Sequence, residues 1–86
     1  MYRMDQKVSL ADMNVGEEAV ITGFSTEEIP ARFYEMGLLP GTLLKLQYRA
    51  PFNGPVCVSV NEHQYLLALR KREARYVLIE RTHEGV

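Results

Sequence analysis

Apolar residues recur along this chain at two different intervals, and the change from one to the other falls within Met36-Gly37-Leu38-Leu39-Pro40-Gly41. Upstream, Ile29, Phe33 and Met36 lie at i, i+4 and i+7, which places them on one helical face. Gly37 stands where a helix commonly ends in a left-handed residue, and Pro30 suits a first turn whose N–H needs no partner, so the pattern predicts a helix over 30–36. Downstream the interval is two. Leu38 and Leu39 form an apolar pair that the glycine turn can fold back on the helix, and Pro40-Gly41 makes a second turn that launches a strand over 42–49. In that strand Leu44, Leu46 and Tyr48 share one face and Lys45, Gln47 and Arg49 the other, the pattern of a half-buried strand.

The same reading orders the rest of the chain. Residues 10–15 form a turn or helical lead-in, 18–24 a first strand with a bulge at Gly23, and 25–29 a polar connection. Ala50-Pro51-Phe52-Asn53-Gly54-Pro55 carries an Asn-Gly turn between prolines, so 56–60 returns antiparallel with Val56, Val58 and Val60 inward and Cys57 and Ser59 outward. After a tight turn at Asn61-Glu62-His63, Tyr65, Leu67 and Leu69 alternate with Leu66 and Ala68, predicting a strand that is apolar and covered on both faces. Residues 70–75 make a single helical turn, and 76–80 close the sheet with Val77 and Ile79 inward. Residues 1–7 read as a disordered start, 82–86 as a tail, and 8–81 as one domain.

Five short strands with apolar faces are best buried by curling one sheet. A barrel of the oligonucleotide-binding type has its helix between the third and fourth strands. Here only a turn is available there, and a helical turn stands before the last strand. The expected fold is therefore mainly β, a small five-stranded SH3-like barrel with one short helix between strands 1 and 2, placed to plug one open end.

Composition narrows the class further. A chain of 86 residues needs a compact core, and its single cysteine, Cys57, excludes an internal disulfide. No leader and no apolar run of about 18 residues is present, which predicts a soluble cytoplasmic protein. A net charge of -1 lacks the basic excess of a general nucleic-acid binder. No G-x-x-x-x-G-K-[ST] occurs, so any nucleotide hydrolysis belongs to a partner. No nucleophile, base and acid are grouped, and an enzymatic role is not expected.

Three ordered blocks, Met36-Gly37-Leu38-Leu39-Pro40-Gly41-Thr42, Ala50-Pro51-Phe52-Asn53-Gly54-Pro55 and Leu67-Ala68-Leu69-Arg70-Lys71-Arg72-Glu73-Ala74, give the sequence a resemblance to the FeoA family, the small cytosolic companion of the FeoB ferrous-iron transporter. The resemblance implies an SH3-like binding module, not an enzyme, that assists or regulates a membrane GTPase-linked iron permease. It departs from the family pattern at Met36, where the family often has Leu, and at Asn53 in the hairpin tip. The same domain type ends metal-dependent transcriptional repressors, which leaves an alternative: a metal-responsive module that binds a divalent transition metal or a separate DNA-binding chain.

Within that frame the residues nominate a surface. A large apolar Phe52 at a hairpin tip cannot easily reach the core, so Phe52, with Pro51 and Asn53, is expected to project toward a partner, with Leu43 adding apolar area nearby. Arg70 and Arg72 belong to a basic run that suits an acidic face of a GTPase domain. Contact with a membrane is then only through the partner, and a homo-oligomer is compatible with an open strand edge. Iron transport invites a metal assignment, but Glu62, His63, His83 and Glu84 are the only local clusters and lack ligand spacing, so no cofactor or metal ligand is assigned beyond a weak divalent association.

Overall fold

A computed structural model describes residues 8–61 and 65–82. After a 3-10 turn at Leu10–Asp12 come β1 (Glu18–Phe24), α1 (Ala31–Glu35), β2 (Leu43–Arg49), β3 (Val56–Val60), β4 (Tyr65–Leu69), α2 (Lys71–Ala74) and β5 (Val77–Arg81). The strands form one antiparallel sheet in the order β4-β3-β2-β1-β5. It curls around a core in barrel fashion, as expected for an SH3-like domain, while β4 and β5 remain its two edges.

The helix ends as its sequence requires. Gly37 takes φ +84°, its N–H donates to the Tyr34 carbonyl (3.1 Å), and the Leu38 N–H donates to the Phe33 carbonyl (2.9 Å). This crossed pair satisfies carbonyls that the last turn leaves open, and it folds Leu38 back onto Phe33, both fully buried. Phe33 therefore plugs the barrel, with Ile29 and Met36 packed partly buried beside it. Only Leu38 of the leucine pair is tucked in. Leu39 stays exposed and begins the next turn, its carbonyl accepting from the Thr42 N–H at 2.9 Å.

Two bulges shift the strand pattern. In β1 the register passes from Ile21↔Ile79 to Gly23↔Leu78, so the extra residue is Thr22, one position before the expected Gly23. In β2 it passes from Leu46↔Val58 to Tyr48↔Cys57, leaving Gln47 unpaired. The alternation reverses there. Tyr48 turns outward, 55% exposed, instead of joining Leu44 and Leu46. Arg49 pairs with the inward Val56 and is half-buried, with its guanidinium donating to the carbonyls of Met13 and Ala11. One guanidinium nitrogen, Nη2, thereby holds the chain segment that follows the 3-10 turn.

The β2–β3 hairpin also turns one residue earlier than expected. The Ala50 N–H donates to the Pro55 carbonyl (2.9 Å) and the Gly54 N–H to the Pro51 carbonyl (3.1 Å), with Phe52 and Asn53 at φ 59° and 60°. Two left-handed central residues match the twist of a hairpin. Gly54 is needed for close approach instead, since a Cβ there would stand 2.7 Å from the Ala50 Cβ.

β3 has the expected inward valines, and Ser59 is nonetheless buried, accepting from the Gln47 amide at 3.0 Å. β4 differs from expectation on its outer face. Leu67 and Leu69 are buried, but Leu66 is 66% exposed and Ala68 is open, because β4 is an edge strand with no layer outside it.

Candidate functional site

The surface built by the hairpin tip and α2 follows from strand register. Leu69, the last residue of β4, pairs with Val56, the first of β3, so the residues after β4 must lie beside the tip that precedes β3. Lys71 accordingly donates from Nζ to the Asn53 Oδ1 at 2.9 Å. Asn53, Gly54 and Pro55 with Arg70, Lys71 and Arg72 line a shallow groove of about 470 Å³. A smaller recess, about 230 Å³, is lined by Arg49, Lys71 and the tip residues Pro51, Phe52 and Asn53.

Phe52 stands out in two independent ways. It is 97% exposed, and it holds a left-handed φ of 59° that a bulky L-residue rarely adopts. Such a conformation costs about 1–3 kcal/mol and persists only where the surroundings impose it. The turn hydrogen bonds and the Lys71–Asn53 contact impose it here. The ring is held in solvent at an energetic cost, with no packing to offset it.

The charge of α2 is set by where Glu73 goes. Its Oε1 accepts from the Arg32 Nη2 at 2.6 Å and from the Arg70 N–H at 3.0 Å. Partial burial pushes the Glu73 carboxyl up, but the Arg32 hydrogen bond, the Arg70 N–H and the two guanidinium charges together outweigh this and hold it below the ordinary carboxylate range. The one acid of this turn is thus engaged by Arg32 from α1. The groove beside the tip is left lined by three cations and no carboxylate.

The structure therefore brings Pro51, Phe52, Asn53, Arg70 and Arg72 together and separates Leu43 from them. Leu43 opens β2 at the end opposite the tip, pairs with Val20 and is half-buried. Lys71 and Arg49 belong to the site and were not singled out in the sequence. The cue for Lys71 was its position two residues past a strand that must end level with the tip. Arg49 had no cue, since only the bulge turns it inward. Among the described residues, no group of three or more His, Cys, Asp or Glu could hold a metal ion. Glu62, His63, His83 and Glu84 lie outside the described residues. Cys57 is a half-buried free thiol on the outer face of β3. No helix among the described residues is long and apolar enough to cross a membrane.

Comparison with known proteins gives a consistent picture. The family model for the FeoA domain matches residues 8–81. Among solved structures, a FeoA-like protein from Clostridium acetobutylicum is 25% identical, with a TM-score of 0.79 over 96% of this chain and 95% of that one. The FeoA protein from Chlorobium tepidum is 28% identical, with a TM-score of 0.77 over 91% of this chain and 75% of that one. Zinc-complexed FeoA from Stenotrophomonas maltophilia, described as an SH3 domain protein possibly acting as a ferrous iron transport activating factor, is 23% identical at a TM-score of 0.70, covering 85% and 89%. A manganese-dependent transcriptional repressor aligns at a TM-score of 0.80 and 15% identity, over 92% of this chain but 38% of the repressor, a likeness of fold alone. Comparison with curated proteins gives no sequence match.

Proposed function

The chain belongs to the FeoA family, and from that premise we propose that it is a cytoplasmic accessory module of a ferrous-iron uptake system, docking through its hairpin tip on the cytosolic GTPase region of a FeoB-type permease. The family is linked to ferrous iron transport and consists of small accessory domains, not enzymes. The observation that carries the reading is Phe52, exposed and left-handed beside a groove lined by Arg70, Lys71 and Arg72. An aromatic anchor with cations to one side of it fits an acidic surface with an apolar pocket, and anchors of this kind dominate binding energy when they become desolvated. Nucleic acid is a poorer fit, because Arg70, Lys71 and Arg72 are matched by one protruding ring and not by the series of aromatics that stacks successive bases. The module then meets the membrane only through the permease.

A second reading rests on the shared fold with the manganese-dependent repressor: a metal-responsive module that takes a divalent transition metal or serves a separate DNA-binding chain. The two separate in one experiment. Tagged protein is recovered from lysed cells with its partners, and the partners are identified. Retention of the permease, lost with Phe52→Ala, supports docking. Recovery of DNA-associated chains alone, with the permease absent, overturns it.

A further inference from the structure

The two edges of the sheet are treated differently. β5 carries Glu80 and Arg81, sits opposite a bulge, and is overlaid by the preceding chain, with Ser9 bridged to Leu78 and the Ile79 N–H donating to the Val8 carbonyl at 2.9 Å. These are the usual devices that keep an edge from pairing with another chain. β4 has none of them. Tyr65–Leu69 reads Tyr-Leu-Leu-Ala-Leu, without charge or proline, and pairs with β3 from Val60↔Tyr65 to Val56↔Leu69 with no register shift. Among the described residues, no backbone hydrogen bond from outside β3 reaches it. The strand is also braced, since the Tyr65 hydroxyl donates to the Met36 carbonyl at the end of α1.

We propose that β4 is a self-association edge that adds to β4 of a second copy of this chain, antiparallel and centred on Leu67. Symmetry, charge and size all favour this occupant. An uncharged strand repels nothing in its own image. Centring on Leu67 sets Leu66 of each copy beside Ala68 of the other on the outer face, a large side chain against a small one. The outward row Tyr48–Cys57–Ala68, fixed by the pairings Tyr48↔Cys57 and Cys57↔Ala68, then continues into Leu66 of the second copy. This gives the exposed Tyr48 and Leu66 a common apolar stripe. The basic turns fall at opposite ends: the two Arg70 backbones are about 20 Å apart, at about 3.4 Å per residue, well beyond the roughly 8 Å screening length. A five-residue edge is smaller than a standard interface, so the dimer is weak and forms at high local concentration.

Sedimentation of the full chain from about 10 μM to about 1 mM tests this, a range that spans weak interfaces of this size. The expected result is a shift from monomer mass toward twice that mass. Leu66→Lys and Ala68→Lys, each on an open outward position, are expected to stay monomeric at every concentration with unchanged thermal melts. In a Cys57→Ser background, Leu66→Cys with Ala68→Cys is expected to form an intermolecular disulfide under mild oxidation, since side chains directly opposite across strands lie about 5 Å apart. A wild type monomeric at the highest concentration overturns the proposal, as does a dimer that survives both lysine variants. Protection of β4 amides from exchange only when the permease GTPase region is added would instead assign the edge to a foreign strand.

Discussion

Lys71 donates from Nζ to the Asn53 Oδ1 at 2.9 Å, so the tip of the β2–β3 hairpin and the α2 turn form one surface although 18 residues separate them in sequence. The contact holds Asn53 in its left-handed conformation and leaves the adjacent Phe52 ring pointing into solvent. If the proposed docking holds, binding and stability are opposed at this point, and the opposition can be measured.

Replacing Phe52 with glycine removes the left-handed penalty together with the ring. The expected outcome is a gain of about 1 kcal/mol in stability, or roughly 4–8 °C in Tm for a domain of this size, with loss of partner binding. Phe52→Ala keeps the backbone strain and is expected to lose the binding without the gain. Thermal melts of the two variants beside wild type check this, and a stability loss in Phe52→Gly would mean the ring packs on its own hairpin.

Gly37 has an architectural role. A Cβ there would keep φ +84° and stand 3.3 Å from the Tyr65 hydroxyl. Gly37→Ala is expected to cost about 1–2 kcal/mol, read as a lower midpoint in urea with an unchanged slope.

Much of this fold was legible because local chemistry and tertiary demand agree. The Ile29, Phe33, Met36 spacing and Gly37 specify a helix end that folds Leu38 onto Phe33, and Val56, Val58 and Val60 face the core as alternation requires. Disagreement is largest at Gln47, an ordinary strand residue whose bulge reverses the face of Tyr48 and Arg49 and brings the Arg49 guanidinium to the carbonyls of Ala11 and Met13, distant in sequence. The tip shifted by one residue because Gly54 is needed for close approach to Ala50, which leaves the left-handed positions to Phe52 and Asn53. The open face of β4 was not legible at all, since a strand's place at the edge depends on strand order. At the candidate site, Phe52, Pro51, Asn53, Arg70 and Arg72 came from the sequence, whereas Leu43, expected nearby, opens β2 at the end away from the tip.

Acid weakens the tie between α1 and α2. The folded Glu73 carboxyl lies below its ordinary value of 4.5, so its contribution is fully present above that pH and is lost as pH falls through the lower folded value. Because Arg32 is partly exposed, about 1 kcal/mol is expected at neutral pH. Glu73→Gln should remove that increment and flatten the corresponding part of a stability-against-pH curve below 4.5, as read by urea titrations between neutral and acid pH.

Arg49 closes the segment after the 3-10 turn through Nη2 alone, which donates to both the Met13 and the Ala11 carbonyls, and the shorter lysine side chain does not place its ammonium at that point. Arg49→Ala is expected to cost about 1–2 kcal/mol by leaving the Met13 and Ala11 carbonyls without their donor. Arg49→Lys should recover only part of this, and full recovery in a thermal melt would show that charge alone suffices.

The docking claim itself is tested most directly by titration calorimetry of the purified chain against the cytosolic GTPase region of a ferrous-iron permease. Wild type is expected to bind, with Phe52→Ala weaker by about fivefold or more, roughly 1 kcal/mol or above, and with Arg72→Glu weakening binding further while melts stay unchanged. Equal affinity of wild type, Phe52→Ala and the charge-reversed variant would contradict the account.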